Sequence, residues 1–385
     1  MRYRYSKGPD GKLEKKAVIY TSSEHCIDSA DVDNDAKSII RKLNSAGFDS
    51  YIVGGAVRDL ILGKKPKDFD IASSASPARI KKIFRNSRII GRRFRLVHVY
   101  FTHKVFEVAT FRSLKDGTTS NTFGTIEEDV LRRDFTLNAL YYDPEQQLVI
   151  DYVGGVSDIK KKQIKPIISL SSIFTDDPVR MIRAAKYAAI TGFSLPLNLK
   201  MKISHQSNLL LEISPSRLTE EIFKIINSDK ASLIVDSLDK IGLYSYLQPR
   251  AAQLMRKDSV FRKSYLQTLS QLKGEKNQRG DALGALFRDY LENELNLRGA
   301  AQASELKSGS YEKYKEICRT ARSFVSPMNP PRFELEYTVK KILSSFGITV
   351  KRSVPKPSDE AAQLKQCAQL KPAKRKRRRR KKTSN

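Results

Sequence analysis

Cysteine is scarce in this 385-residue chain: Cys26, Cys318 and Cys367 are all it has, too far apart for a disulfide framework or a zinc knuckle. We read them as ordinary reduced thiols. No apolar run approaches the roughly 20 residues of a spanning helix, and the opening MRYRYSKGPDGK lacks the apolar core of a secretory signal. The expectation is a cytoplasmic protein with no membrane partner. Acidic residues are also in deficit, with 42 Asp and Glu against 71 Lys and Arg, a formal charge of +29. So large an excess argues for a polyanionic partner, with RNA, DNA and an anionic membrane surface all compatible at this point.

What is present organises into several units, since the length exceeds what one hydrophobic core usually supports. Residues 1–33 are polar with few periodic apolar positions and read as a loosely held extension. Residues 34–168 carry alternating helix and strand signals. Ile39, Ile40 and Leu43 have helical spacing with Gly47 as a C-terminal cap, and Tyr51 to Val53 switch to a strand. Further strands are expected at 70–72, 87–90, 96–101 and 105–110, with a helix opening at Pro77. Residues 113–124 read as a mobile loop near the site. Beyond about residue 170 only helical patterns follow, divided as 169–230 and 231–350. Residues 351–385 end in KRKRRRRKK, a like-charge block that cannot pack a core and is expected to be disordered. The fold class is therefore α+β, a small mixed sheet with helices followed by all-α segments.

The chemistry concentrates first in Gly54-Gly55-Ala56-Val57-Arg58-Asp59 and Asp68-Phe69-Asp70. Residues two apart on a strand share a face, so Asp68 and Asp70 set two carboxylates side by side while Phe69 and Ile71 face the core. Alone, such a pair is a solvated turn. Glycines between strand and helix, however, let backbone N–H groups approach phosphate oxygens, and Arg58 adds a fixed cation. Phosphate cradle plus carboxylate pair suits Mg²⁺ and a nucleotide. A two-metal phosphoryl-transfer site calls for a third acid, for which Glu107, alone in an apolar strand, and Asp134, in RRDFTLN, both stand. Asp134 could equally pair with an arginine. In DDPVRMIR, Asp177, Arg180 and Arg183 recur at three-residue spacing and present one polar face able to read a nucleobase edge, or else an N-cap acid with surface arginines.

In this order, GGAVRDL with DFD, RRDFTLNAL and DDPVRMIRAAKYAAITGF resemble the bacterial poly(A) polymerase and tRNA CCA-adding enzyme family across roughly Tyr51 to Asn227. That resemblance implies a polymerase-β-like nucleotidyltransferase head followed by helical neck, body and tail, with the neck carrying base-recognition and RNA-binding elements. It implies two Mg²⁺ ions held by Asp68 and Asp70, and ATP as substrate. Gly54, Gly55 and Arg58 would face the triphosphate, Arg133 and Asn138 the triphosphate and ribose, and Asp177 and Arg180 the base with Arg183 in support. Asp134 and Glu107 both match acids of the family pattern. One departure is Asp176, where the family commonly has Glu.

The stretch from Ile89 to Val99 looks like that of the polyadenylating branch, and Arg92, Arg93 and Arg95 within it would contact RNA. The tail residues Lys374, Arg375, Lys376, Arg377, Arg378, Arg379 and Arg380 suit RNA without sequence preference, although a polybasic end can also be adventitious or a nuclear-type signal. Setting aside the ten basic residues from Lys371 to Lys382 still leaves +19, so the remainder is basic as well. No histidine follows His205, which excludes the His/Asp phosphohydrolase domain attached to some CCA-adding enzymes. The expectation is a monomeric enzyme that polyadenylates RNA 3′ ends, with RNA-chaperone or RNA-degradation proteins as conceivable partners. The alternatives are a CCA-adding or A-adding tRNA enzyme and, from another class, a non-catalytic RNA-binding protein, against which both aspartates argue.

Overall fold

In the computed structural model, the described residues are 2–7, 13–91, 96–113, 122–274, 279–297 and 311–348. The loop residues 114–121, Arg92, Arg93, Arg95, Cys367 and the polybasic run from Lys374 to Arg380 lie outside them. Among the described residues nine strands form one sheet: β1 (Arg2–Lys7), β2 (Leu13–Tyr20), β3 (Ser50–Val53), β4 (Asp70–Ser73), β5 (Ser87–Ile90), β6 (Leu96–Tyr100), β7 (Val105–Thr110), β8 (Leu140–Asp143) and β9 (Leu148–Asp151). Their spatial order is β1-β2-β9-β8-β3-β4-β7-β6-β5. All neighbours run antiparallel except β4 and β7, which are parallel.

The helix Asn34–Ser45 forms because Asp33 caps it, its side chain accepting from the Asp35 and Ala36 amides, and because Ala36, Ile39, Ile40 and Leu43 fall on one buried face. Gly47 follows with φ +82°, a left-handed conformation that stops the helix. Helix Pro77–Ile83 starts from the Ser76 cap with proline in its first turn. These pack one face of the sheet, while Ile126 and Val130 of helix Ile126–Leu131 meet Val53, Ala72 and Tyr141 on the other. After β9 every regular element among the described residues is a helix, from Gly155–Lys160 to Arg332–Ser345. One apolar core runs from Tyr20 to Ile348, so head and helices are packed together.

The expected loose extension over residues 1–33 needs correction, because β1 and β2 belong to the sheet. Val18, Ile19 and Tyr20 pair with Asp151, Ile150 and Val149 of β9, and Ala17 and Tyr20 are buried. His25 is buried too, donating from Nε2 to the Gln147 carbonyl and accepting at Nδ1 from the Ile27 amide. A two-stranded edge needs little apolar content, and Tyr3 and Tyr5 stand exposed upon it, which is why composition read as a tail. Cys26 and Cys318 are free thiols.

Candidate active site

Strand register builds the site. Val53 at the end of β3 pairs with Asp70 at the start of β4, so the chain leaving β3 through Gly54 passes beside the two aspartates. Gly54 adopts φ +72°, which side-chain-bearing residues rarely adopt, and the helix Gly55–Ile61 begins immediately after it. Phe69 and Ile71 are buried while Asp68 and Asp70 are exposed, the alternation the sequence required. The parallel pairing of Ile71 with Val108 brings Glu107 next to Asp70. Crowding by protein, with the negative charges of Glu107 and Asp68, pushes the Asp70 carboxyl up to about 6 against the pull of Arg133. Because Asp70 remains open to water, the neighbouring carboxylates are the stronger physical cause. Glu107 itself lies 3.3 Å from His98 Nε2.

Two arginines are fixed beside this pair. Arg58, buried, donates from Nη1 to Asn138 Oδ1 at 2.7 Å and from Nε to Asp59 at 2.9 Å. Its guanidinium sits 5.7 Å from the Tyr187 ring centre. Arg133 Nη2 donates to Asp129 at 3.0 Å, its Nε to the Tyr141 hydroxyl at 3.1 Å, and its Nη1 to the Asn138 carbonyl at 3.2 Å. Asp129, 1% exposed, also receives Arg132 and the Tyr141 hydroxyl. Burial alone would raise this carboxyl, but the charges of Arg133 and Arg132 outweigh it and hold it at about 2. Asn138 is positioned in turn by a 3₁₀ turn, Thr136–Asn138, seated on Gly155, where an added Cβ would lie 2.3 Å from the Thr136 carbonyl oxygen. Asp151 anchors that glycine by accepting from the amides of Val153, Gly154, Gly155 and Val156.

The third cluster sits at the start of helix Val179–Thr191. Asp177 and Arg180 are buried. Asp177 accepts from the Val179 amide and from Arg217 Nη2 at 2.7 Å, whereas Arg180 donates to the Ile173 carbonyl and leaves its Nε without a hydrogen bond. Arg183 is 2.8 Å from Asp134, so the ordinary pairing weighed for that acid is present. This pair ties helix Val179–Thr191 to the head.

Head and helices enclose a cleft of about 610 Å³. One wall holds Gly54, Gly55, Arg58, Asp68, Asp70, Arg133, Asp134 and Asn138, and thus gathers most of the residues singled out from sequence. Asp177, Arg180, Arg183 and Glu107 do not line it. The opposite wall was missed: Lys186 and Tyr187 of helix Val179–Thr191, Lys224 of helix Pro215–Ile226, and the following Asn227 to Lys230. The signal for Lys186 was available, since Arg180, Arg183 and Lys186 continue one three-residue spacing. Lys67, next to Asp68, bridges the mouth to Asp229 at 3.1 Å.

A small mixed sheet thus presents paired carboxylates beside a Gly-Gly turn and fixed arginines, on a helical body. Residues 50–165 match the family described as "Poly A polymerase head domain", and residues 192–255 match "Probable RNA and SrmB-binding site of polymerase A". Poly(A) polymerase I of Salmonella typhi is 40% identical over 248 residues, covering 60% of this chain and 53% of that protein. A CCA-adding enzyme of Geobacillus thermodenitrificans is 37% identical over 239 residues, 60% of this chain and 59% of that one. The chain spans about half the length of the curated relatives it matches. The solved Bacillus stearothermophilus CCA-adding enzyme in complex with CTP superposes with TM-score 0.56 at 25% identity, over 86% of this chain and 91% of that one. Two stretches of the chain, together just under half of its length, thus match domains of poly(A) polymerases. No helix among the described residues is long and apolar enough to cross a membrane.

Proposed function

We propose that this protein polyadenylates RNA 3′ ends without a template in the cytoplasm, transferring AMP from ATP to the terminal hydroxyl and releasing pyrophosphate. The observation that carries the reading is the adjacency of Asp68 and Asp70 to the Gly54–Gly55 turn and to Arg58 in one cleft. Identity to poly(A) polymerases of 36–42% supports the choice of activity.

The residues suit Mg²⁺. Asp68 and Asp70 are hard, mutually repelling oxygen donors whose repulsion a divalent cation would relieve. Mg²⁺ commonly takes one or two protein carboxylates and completes its shell with phosphate and water. Bound at these aspartates, two Mg²⁺ ions would supply charge neutralisation at the attacking hydroxyl and the departing pyrophosphate. We assign the third acid to Glu107, which stands beside Asp70, and give Asp134 a positioning role through Arg183.

Arg58 and Arg133 hold the triphosphate, their forks aimed beforehand by Asn138 and Asp129 so that little ordering remains to be done when it binds. Asn138 orients the ribose. Asp177 and Arg180 recognise the adenine edge. RNA is bound without sequence preference through the basic surface, with chaperone or degradation proteins as further partners.

The second reading, CCA addition to tRNA, is favoured by the 37% identity to a CCA-adding enzyme and by the CTP-bound structural neighbour. Each labelled nucleoside triphosphate should be offered with Mg²⁺ to a generic RNA and to a tRNA lacking its CCA end. Long ATP-only extension of the generic RNA is the expected result; CTP followed by ATP addition confined to tRNA would replace our reading with the second. Asp70→Ala should lower incorporation about a thousandfold or more while RNA affinity stays unchanged, and retained activity would remove Asp70 from the metal site.

A further inference from the structure

A second concavity, of about 760 Å³, lies between the helix Tyr311–Val325, the connection 326–331 and the helix Arg332–Ser345, and shares no lining residue with the cleft. Lys315, Arg319 and Arg322 line it at spacings of four and three, which puts them on one stripe of the first helix, about 10 Å long. Arg332 lines it from the second helix. Against these four cations the described lining sets one acid, Glu336, which Arg332 already engages at 2.6 Å. Arg322 is held by the connection, donating to Asn329 Oδ1 at 2.9 Å and to the Pro330 carbonyl at 3.4 Å. Arg319 is exposed and has no protein partner among the described residues.

Like charges one turn apart disfavour a helix, and packing does not require them, since Ile317, Ala321, Phe324 and Val325 supply the buried face. Burial pushes the Cys318 thiol up to about 11, so the concavity presents no thiolate and its chemistry is that of its cations. Apolar surface lies beside them. Tyr314, Pro330 and Leu335 line the groove, and Phe333 and Tyr337, 71% and 54% exposed, stand one turn apart on the second helix. Fixed cations next to exposed aromatic rings suit single-stranded nucleic acid, whose phosphates take the former and whose base faces take the latter. The groove is also tied to the cleft. The Asn329 amide donates to Thr219 Oγ1 at 2.9 Å, and on helix Pro215–Ile226 Thr219 precedes the cleft residue Lys224 by about 7.5 Å of axis.

We propose that this groove is a second RNA-binding site, which takes phosphates of single-stranded RNA upstream of the 3′ end on Lys315, Arg319 and Arg322, with bases stacked on Phe333 and Tyr337 beside it. This deepens the proposed function, on which it rests: the cleft takes the RNA terminus, and the groove holds the strand behind it without reading sequence.

The test uses the full chain with Arg319→Gln, Phe333→Ala and Glu336→Gln. Lys82→Gln, at an exposed lysine of the head helix Pro77–Ile83, controls for net charge. Affinity for an unstructured RNA oligonucleotide is measured without turnover over a range of salt, and affinities for a non-hydrolysable ATP analogue and for pyrophosphate by calorimetry. Arg319→Gln should weaken RNA binding about tenfold at low salt and reduce the slope of log affinity against log salt by about 0.7. Phe333→Ala should weaken it by about the same factor with the slope unchanged. Glu336→Gln, which frees Arg332, should strengthen it, while Lys82→Gln stays within about twofold of wild type. Nucleotide affinities should hold in every variant. Arg319 and Phe333 are exposed, so melting temperatures should match wild type, and a loss of affinity that tracks a loss of stability would overturn the site. RNA binding that Arg319→Gln and Phe333→Ala leave within about twofold of wild type overturns it too, as does an equal loss in Lys82→Gln. Loss of nucleotide binding in place of RNA binding would reassign the groove to a free nucleotide phosphate and end the RNA assignment. A wild-type chain that binds no RNA overturns the proposed function together with the site, so the two failures are distinct. Since nothing is turned over, a protein that adds CTP leaves this test intact.

Discussion

Replacing Asp129 with asparagine should both destabilise the head and loosen its triphosphate grip, by an amount that depends on pH. The substitution keeps shape and removes charge, leaving Arg133 and Arg132, 18% and 16% exposed, without the carboxylate they share. The carboxyl lies at about 2 in the folded chain against an ordinary 3.8, a gap equivalent to roughly 2.5 kcal/mol. Because the folded value is depressed, this stabilisation is fully present above pH of about 4, roughly half lost by pH 3, and gone below about 2. At pH 7 a loss of roughly 2.5 kcal/mol translates into a melting temperature about 5–10 °C lower for a unit of this size. Scanning calorimetry of Asp129→Asn and wild type at pH 7, 4 and 3 measures it directly. The difference between the two proteins should shrink by about half between pH 7 and 3. A gap under about 2 °C at pH 7, or one as wide at pH 3 as at pH 7, would refute the claim that the Asp129 charge organises the arginines.

Gly155→Ala should cost about 1–3 kcal/mol and raise the ATP KM, because the new methyl collides with the Thr136 carbonyl and pushes Asn138 away from Arg58. Gly154→Ala is the control in calorimetry and kinetics: its Cβ meets nothing within 4 Å, so only the φ of +81° is penalised, by about 1 kcal/mol, and the KM should hold. Deleting the residues after Lys371 should raise the RNA dissociation constant with a shallower salt dependence remaining, while the preference for ATP in competition assays stays unchanged.

The phosphate turn and the carboxylate pair were legible in the sequence because both are local: a Gly-Gly after a strand and acids at spacing two need no tertiary knowledge. The short strands 70–73 and 105–110 were legible for the same reason, as apolar runs with clear breaks. What escaped was set by partners distant in sequence. β8 and β9, LYYD and LVID, are four residues each and acquire their identity from pairing with β3, with β2 and with each other. Asp129 looked like one of three acids opening a helix, and only Tyr141 and the two arginines around it make it an anchor. The three-residue spacing of Asp177 and Arg180 defines a stripe on a helix but not what packs on it, and the Arg217 contact to Asp177 comes from a helix distant in sequence.

The edge formed by β2 bears on how this protein can be made. Only three residue pairs, Val18 to Tyr20 with Asp151 to Val149, join the first hairpin to β9, yet they occupy the backbone groups of a strand that reads Leu-Val-Ile-Asp. A recombinant version begun at residue 34, where composition suggested the folded part starts, would keep every cleft residue while uncovering that apolar strand along its whole length. Open edges of this kind recruit strands from other chains. Such a protein would be expected to fail by precipitation during purification rather than by loss of chemistry, and a preparation of low solubility should be examined for the missing hairpin before the site is blamed.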